Sequence, residues 1–136
     1  MPRTIHLLLV EDDQVDAKAV NGMLAGAANA RFEVTTAGSF DAAAAALRAA
    51  HFDVILLDLG LPDSFELETL TKMVPLAAGV PIVVLSGLED HEFAERAKRQ
   101  GAADYLFKGG ISSRILEGAV VSALSNHSAE NGLAKI

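Results

Sequence analysis

The residues that could do chemistry are a few acids, one lysine and one serine, each placed directly after a short apolar run. Asp58 ends the run Val54-Ile55-Leu56-Leu57, and Gly60 and Pro62 punctuate the residues after it. Glu11 and Asp12 come after Ile5–Val10, Ser86 after Pro81–Leu85, and Lys108 after Ala103–Phe107. A carboxylate at the tip of a buried strand costs desolvation energy unless something pairs with it. Glu11, Asp12 and Asp58 would together crowd three negative charges against one ammonium. Two like charges about 4 Å apart repel by roughly 4 kcal/mol at an effective dielectric of about 20. Such a cluster needs a divalent cation, or a raised pKa on one acid. Hard oxygen ligands without histidine or cysteine select magnesium, manganese or calcium. Magnesium keeps places open for water and a phosphoryl oxygen. A metal beside a strand-end aspartate, with a lysine and a hydroxyl opposite, is the equipment for phosphoryl transfer. Metal and lysine neutralise the charge spread over the moving group, the serine holds another oxygen, and the carboxylate attacks in line.

These residues are useful only if strands deliver them to one place. Ile5–Val10 has strand length and is broken by Glu11-Asp12-Asp13. From Gln14 to Ala27 the period changes: Val15, Ala19 and Met23 recur at spacing four beside Val20, Leu24 and Ala27, which predicts an amphipathic helix. Asp13 reads as its N-cap, with Asp16 three residues on. Phe32–Ala37 alternates as a second strand, and Ser39 caps an alanine-rich helix over Phe40–His51. After the Asp58 strand, Phe65–Val74 reads as a helix stopped by Pro75. Pro81–Leu85 is the fourth strand, and Glu89–Gln100 a charged helix with Phe93 and Ala97 inward and Gly101 at its C-terminal end. Ala103–Phe107 is the fifth strand. Ile111–Ser125 closes the chain with Ile115, Leu116, Ala119, Val120 and Leu124 as its buried stripe, and Asn126–Ile136 reads as a helix extension or a linker.

Five strand–helix alternations imply a parallel sheet wrapped on both faces, with right-handed crossovers. Ligands of such sheets bind beyond the carboxyl ends of the strands, near the point where strand order reverses. The second strand ends only in Ala37 and Gly38; the other four deliver polar or charged groups. In the order 2-1-3-4-5 the silent strand is outermost and the four chemical ones are contiguous.

Composition narrows the class. A chain of 136 residues is most simply one domain. Cysteine is absent, so no disulfide or thiolate metal site exists. His6, His51, His91 and His127 lack metal-ligand spacing and read as structural or solvated. Eleven basic against eighteen acidic residues give a net charge of −7, which argues against direct binding of nucleic acid. There is no apolar run long enough for a membrane span and no signal-peptide pattern, so a cytoplasmic home is expected.

Over Thr4–Ser125 the sequence resembles the receiver domain of two-component response regulators. The likeness rests on Val10-Glu11-Asp12-Asp13, on the Asp58 segment with Leu61-Pro62-Asp63-Ser64, on Leu85-Ser86-Gly87, and on Gly101-Ala102-Ala103-Asp104-Tyr105-Leu106-Phe107-Lys108. It implies an α/β, flavodoxin-like (βα)5 domain over residues 4–125, a doubly wound parallel sheet in the order 2-1-3-4-5. By the same likeness Asp58 is the phosphoacceptor, taking its phosphoryl group from the phosphohistidine of a histidine kinase or a histidine phosphotransfer protein. Asp12 and Asp58 would bind Mg2+ directly, with manganese also accepted, helped by the Gly60 carbonyl and by Glu11 through water. Lys108 would pair with Asp58 and then with the phosphoryl group. Ser86 would close on the phosphate and Tyr105 would turn inward, so that the fourth helix, fifth strand and fifth helix report the change to a downstream effector. The domain would catalyse its own phosphorylation and slow hydrolysis, without a separate substrate. A homodimer through the fourth-helix face is compatible with this, as are a free-standing receiver and a piece of a longer chain such as a hybrid kinase.

The sequence departs from the family pattern at two places. Gly109 comes after Lys108 where many receivers have a proline in a cis peptide, and Phe65-Glu66 stands where relatives usually carry a glycine. The competing readings are a phosphorylation-independent pseudo-receiver serving as an interaction surface, and a small nucleotide binder or hydrolase. The full set of acids, hydroxyl and lysine speaks against the first. The second lacks a glycine-rich phosphate loop after the first strand.

Overall fold

A computed structural model of the protein describes residues 4–64 and 66–134, with side chains to residue 126. Five strands alternate with five helices: β1 (Thr4–Val10), α1 (Gln14–Ala25), β2 (Arg31–Ala37), α2 (Phe40–Ala49), β3 (Val54–Asp58), α3 (Glu66–Ala77), β4 (Ile82–Ser86), α4 (His91–Arg99), β5 (Asp104–Phe107) and α5 (Ser113–Ala134). A single 3-10 turn, Lys108–Gly110, joins β5 to α5. The strands form one parallel sheet in the order β2-β1-β3-β4-β5, the flavodoxin-like α/β arrangement expected from the sequence.

The central strands are apolar on both faces because both faces are covered. Leu8, Val10, Ile55, Leu57 and Val84 pack under α2, α3 and α4 through Ala43, Leu70, Met73 and Ala97. Leu7, Leu9, Leu56, Val83 and Leu85 pack under α1 and α5 through Val20, Leu24, Leu116 and Val120. Strand register then aligns the tips. Val10 pairs with Leu57, Asp58 with Leu85, and Ser86 with Phe107. The residues just beyond these positions therefore emerge along one rim.

Several elements differ from the sequence reading. Pro75 does not stop α3, which runs on to Ala77. Proline removes one backbone donor near a helix end, while Met73 and Ala77, four residues apart, are both buried and hold the last turn against the core. Only part of the expected α1 stripe is buried. Val15 is 76% exposed, and Val20 and Leu24, with half-buried Ala17, face the sheet. In α5, Ile115 is exposed, whereas Glu117 and Ala123 are buried beside Leu116 and Val120. Glu117 accepts a hydrogen bond from the Asn29 N–H at 2.9 Å, which ties the α1–β2 loop to α5. That bond satisfies an otherwise costly buried carboxylate. The caps agree with the sequence. Asp13 accepts from the N–H groups of Val15 and Asp16, Ser39 accepts from that of Ala42, and Gly101 lies just past α4 with φ of +117°. Phe65, expected to start the third helix, the side chain of His127, and the tail residues 135 and 136 lie outside the described residues.

Candidate functional site

Three carboxylates meet at the tips of β1 and β3. Glu11, Asp12 and Asp58 each offer one oxygen, and these oxygens lie within 4.8 Å of one another. Glu11 and Asp58 are 2% and 8% exposed, and Asp12 is exposed. Backbone contacts hold the two buried acids. The Glu11 N–H donates to the Ala37 carbonyl at 2.9 Å, Glu11 Oε2 accepts from the Asp13 N–H at 3.3 Å, and Asp58 Oδ1 accepts from the Gly60 N–H at 3.1 Å.

Lys108 comes to this cluster from the end of β5. Its Nζ donates to Glu11 Oε1 at 2.7 Å and to Asp16 Oδ2 at 2.9 Å, and lies 3.3 Å from Asp58 Oδ2. The lysine thus reaches the expected Asp58, but its two hydrogen bonds go to Glu11 and to Asp16. Sequence reasoning misses Asp16 as a site residue, although it stands in the first turn of α1, close after the acids at the β1 tip. Charge and burial compete here. Burial pushes the Glu11 carboxyl up to about 7; a hydrogen bond with Asp58 and its charge add to the rise, and Lys108 opposes it. Burial pulls the Lys108 ammonium down, but hydrogen bonds to Glu11 and Asp16 and the charges of Asp58 and Glu11 outweigh it, so its pKa is raised. The lysine stays charged, while burial and the neighbouring Asp58 push Glu11 toward its protonated form.

Ser86 and Tyr105 lie on the neighbouring strands. Ser86 is 9% exposed, and its Oγ accepts from the Leu88 N–H at 3.0 Å, which closes the turn after β4. The Tyr105 hydroxyl donates to the Leu88 carbonyl at 2.6 Å, and its ring meets Phe93 edge-on with centroids 6.0 Å apart. Both side chains therefore grip the same β4–α4 residue. Leu88 itself is 47% exposed.

The two sequence departures have local explanations. No peptide is cis among the described residues, and the turn after Lys108 closes with trans geometry. A Cβ at Gly109 would fall 2.6 Å from Phe107 Cζ, so a side chain there requires the half-buried Phe107 ring to shift. Glu66 takes a φ of +45°, the left-handed backbone a glycine would relieve, and its N–H donates to the Leu59 carbonyl at 3.1 Å. Asp63, in the same loop, accepts from the Phe40 and Asp41 N–H groups at 2.8 and 3.1 Å and so joins Ser39 in capping α2. His6 lies 3.2 Å from Glu33 and His51 3.6 Å from Asp53, ordinary surface pairings far from metal spacing.

Comparison with known proteins bears on the fold and the family. The family model described as "Response regulator receiver domain" matches residues 7–119. The chain is 31% identical over 120 residues to the gliding motility regulatory protein of Myxococcus xanthus, covering 87% of this chain and 15% of that protein. It is 32% identical over 104 residues to the transcriptional regulatory protein MalR of Bacillus subtilis, covering 76% of this chain and 44% of that one. The chain therefore spans less than half the length of either relative. Among solved structures, a CheY-like receiver domain protein of Methanospirillum hungatei superposes with a TM-score of 0.78 at 24% identity, over 94% of this chain and 99% of that one. The phosphorylated cyanobacterial phytochrome response regulator RcpA gives a TM-score of 0.70 at 27% identity, over 87% and 90% of the two chains. No described helix is long and apolar enough to cross a membrane.

Proposed function

We propose that this chain, which belongs to the response regulator receiver-domain family, accepts a phosphoryl group on Asp58 from the phosphohistidine of a histidine kinase or histidine phosphotransfer protein. The observation that carries the reading is the Lys108 ammonium lying 3.3 Å from Asp58 Oδ2 and 2.7 Å from Glu11 Oε1, with Asp12 contributing to the same oxygen cluster.

The donor set suits a hard divalent cation. Three carboxylates offer oxygen only, with no histidine or cysteine among them, and Asp12 keeps one side exposed. Asp12 and Asp58 would hold Mg2+, or Mn2+ in its place, with the Gly60 carbonyl completing the protein ligands and Glu11 acting through water. The bound ion supplies charge neutralisation for the transferring phosphoryl oxygens.

The chain's own residues do the rest. An Asp58 carboxylate oxygen attacks phosphorus in line. The new O–P bond forms as the P–N bond of phosphohistidine breaks, and its electron pair goes to the imidazole. The Gly60 N–H on Asp58 Oδ1 fixes the plane of the carboxylate. Lys108, kept charged by its acidic neighbours, turns from Glu11 and Asp16 to donate a hydrogen bond to a phosphoryl oxygen. Ser86 gives up the Leu88 N–H and donates to another. Losing that contact frees one of the two ties on Leu88, and Tyr105 then turns inward, changing the α4–β5–α5 surface read by a downstream effector. Residues 4–125 form the receiver in this reading, and the remainder of α5 is an extension of it. Its place is the cytoplasm, where such kinases act.

Incubation with a small phosphodonor and Mg2+, with intact mass as the readout, tests the reading. Wild type gains one phosphoryl group and Asp58→Asn gains none. An unmodified wild type would instead favour the phosphorylation-independent interaction module.

A further inference from the structure

Asp16 has no place in the phosphoacceptor chemistry, yet it makes one of the two hydrogen bonds of the site lysine. Its carboxylate takes Lys108 Nζ at 2.9 Å, within the usual range of a charge-assisted bond, while Asp58 waits at 3.3 Å, beyond it. The presentation of Asp16 is fixed from behind. Its own N–H donates to the Asp13 cap at 3.0 Å, so the first turn of α1 that carries it is pinned. Of the three acids around the ammonium, Glu11 and Asp58 belong to the oxygen cluster suited to a cation, and Asp16 does not.

We propose that Asp16 is a positioning residue that shares Lys108 and competes with a phosphoryl group on Asp58 for its ammonium. The inference rests on the phosphoacceptor reading. When a cation engages the Glu11 cluster, the Lys108–Glu11 bond weakens, and Asp16 is left as the partner that competes with the phosphoryl oxygens for the lysine. An acid in this place therefore weakens the grip of the site on a phosphoryl group. Because the Asp16 side chain is 44% exposed, water screens the pair and the effect is moderate. Releasing the lysine should tighten phosphoryl-mimic binding by about two- to fivefold.

Calorimetric titration with beryllofluoride in excess Mg2+ tests this on the whole chain. Asp16→Asn removes the competing charge with little change of shape, and is expected to bind the mimic about two- to fivefold more tightly than wild type. Asp16→Glu keeps the charge on a longer arm and should stay near wild type. Asp13→Asn is the control: it removes an equal charge from the same turn while remaining a good cap, but Asp13 bonds backbone amides rather than Lys108. Its affinity should not change. Unchanged or weaker binding in Asp16→Asn overturns the proposal, as does equal tightening in Asp13→Asn, which would reduce Asp16 to a plain charge. If wild type and all variants fail to bind beryllofluoride, the phosphoacceptor reading itself falls and takes this one with it.

Discussion

Replacing Lys108 with glutamine should destabilise the cation-free protein by about 3–5 kcal/mol at pH 8 and by much less at pH 5. At an effective dielectric of about 20, the contact with Glu11 at 2.7 Å is worth about 6 kcal/mol and that with Asp58 at 3.3 Å about 5 kcal/mol. The Asp16 contact adds less, because that carboxylate is 44% exposed. These gross attractions are not lost in full. The variant no longer has to desolvate an ammonium, and the cluster can take up a proton in its place, which brings the loss to the range seen when one partner of a buried pair is removed. The sign of the pH dependence is set by Glu11. Its carboxyl rises from 4.5 to about 7 on folding, so the native state binds the extra proton and stability falls as pH rises through that window. That fall amounts to at most about 3 kcal/mol in wild type. Without Lys108 the carboxyl rises further, so the fall continues to higher pH and the gap between the two proteins widens. The raised pKa of Lys108 adds no slope here, since its stabilisation is present throughout at these pH values and is lost only as pH rises through the raised, strongly alkaline pKa. Urea unfolding at pH 5 and pH 8, with and without Mg2+, reads these differences. Mg2+ at pH 8 should raise the variant's midpoint more than that of wild type, because it meets no competing ammonium. A gap below about 1 kcal/mol at pH 8, or one equal at both pH values, would refute the reasoning.

Other perturbations test separate parts of the account. Gly109→Ala should cost about 1–3 kcal/mol by urea unfolding, because the new methyl meets the Phe107 ring at 2.6 Å, whereas Gly110→Ala, with 3.6 Å of room, should be near neutral. Glu66→Gly should raise stability by roughly 1 kcal/mol by relieving the +45° φ; a loss would show that its helix-start position outweighs the strain. Asp63→Ala should lower the thermal midpoint at pH 7 by removing two caps of α2. Its lowered pKa means that this stabilisation is present above 3.8 and lost as pH falls below it, so the midpoints should converge in acid.

The sheet was legible because four of its strands are short, largely apolar runs and the second alternates, each ending in a turn signal, and the residues at the ends of the four define the rim. The helix faces were less legible. Val15 and Ile115 are apolar residues at plausible spacing, but α1 and α5 share one side of the sheet, and of the expected stripes the packing there buries Val20, Leu24, Leu116 and Val120 and adds Ala123. Pro75 misled for a related reason: two buried side chains outweigh one missing donor. Polar pairs far apart in sequence were the hardest. Nothing in the sequence marks Glu117 for burial under the Asn29 loop, and Asp16 looks like a helix-start acid until Lys108, 92 residues later, arrives beside it. Spacing places a carboxylate on a face; only the fold decides which cation reaches it.

The most direct test of the central claim locates the acyl phosphate. The protein is treated with a small phosphodonor and Mg2+, reduced with borohydride, digested and sequenced by mass spectrometry. An aspartyl phosphate is reduced to homoserine, and the account predicts that product at position 58 alone, dependent on Mg2+. Homoserine at position 12, or at any other acid of the rim, or its absence from a folded and Mg2+-loaded chain, would contradict it.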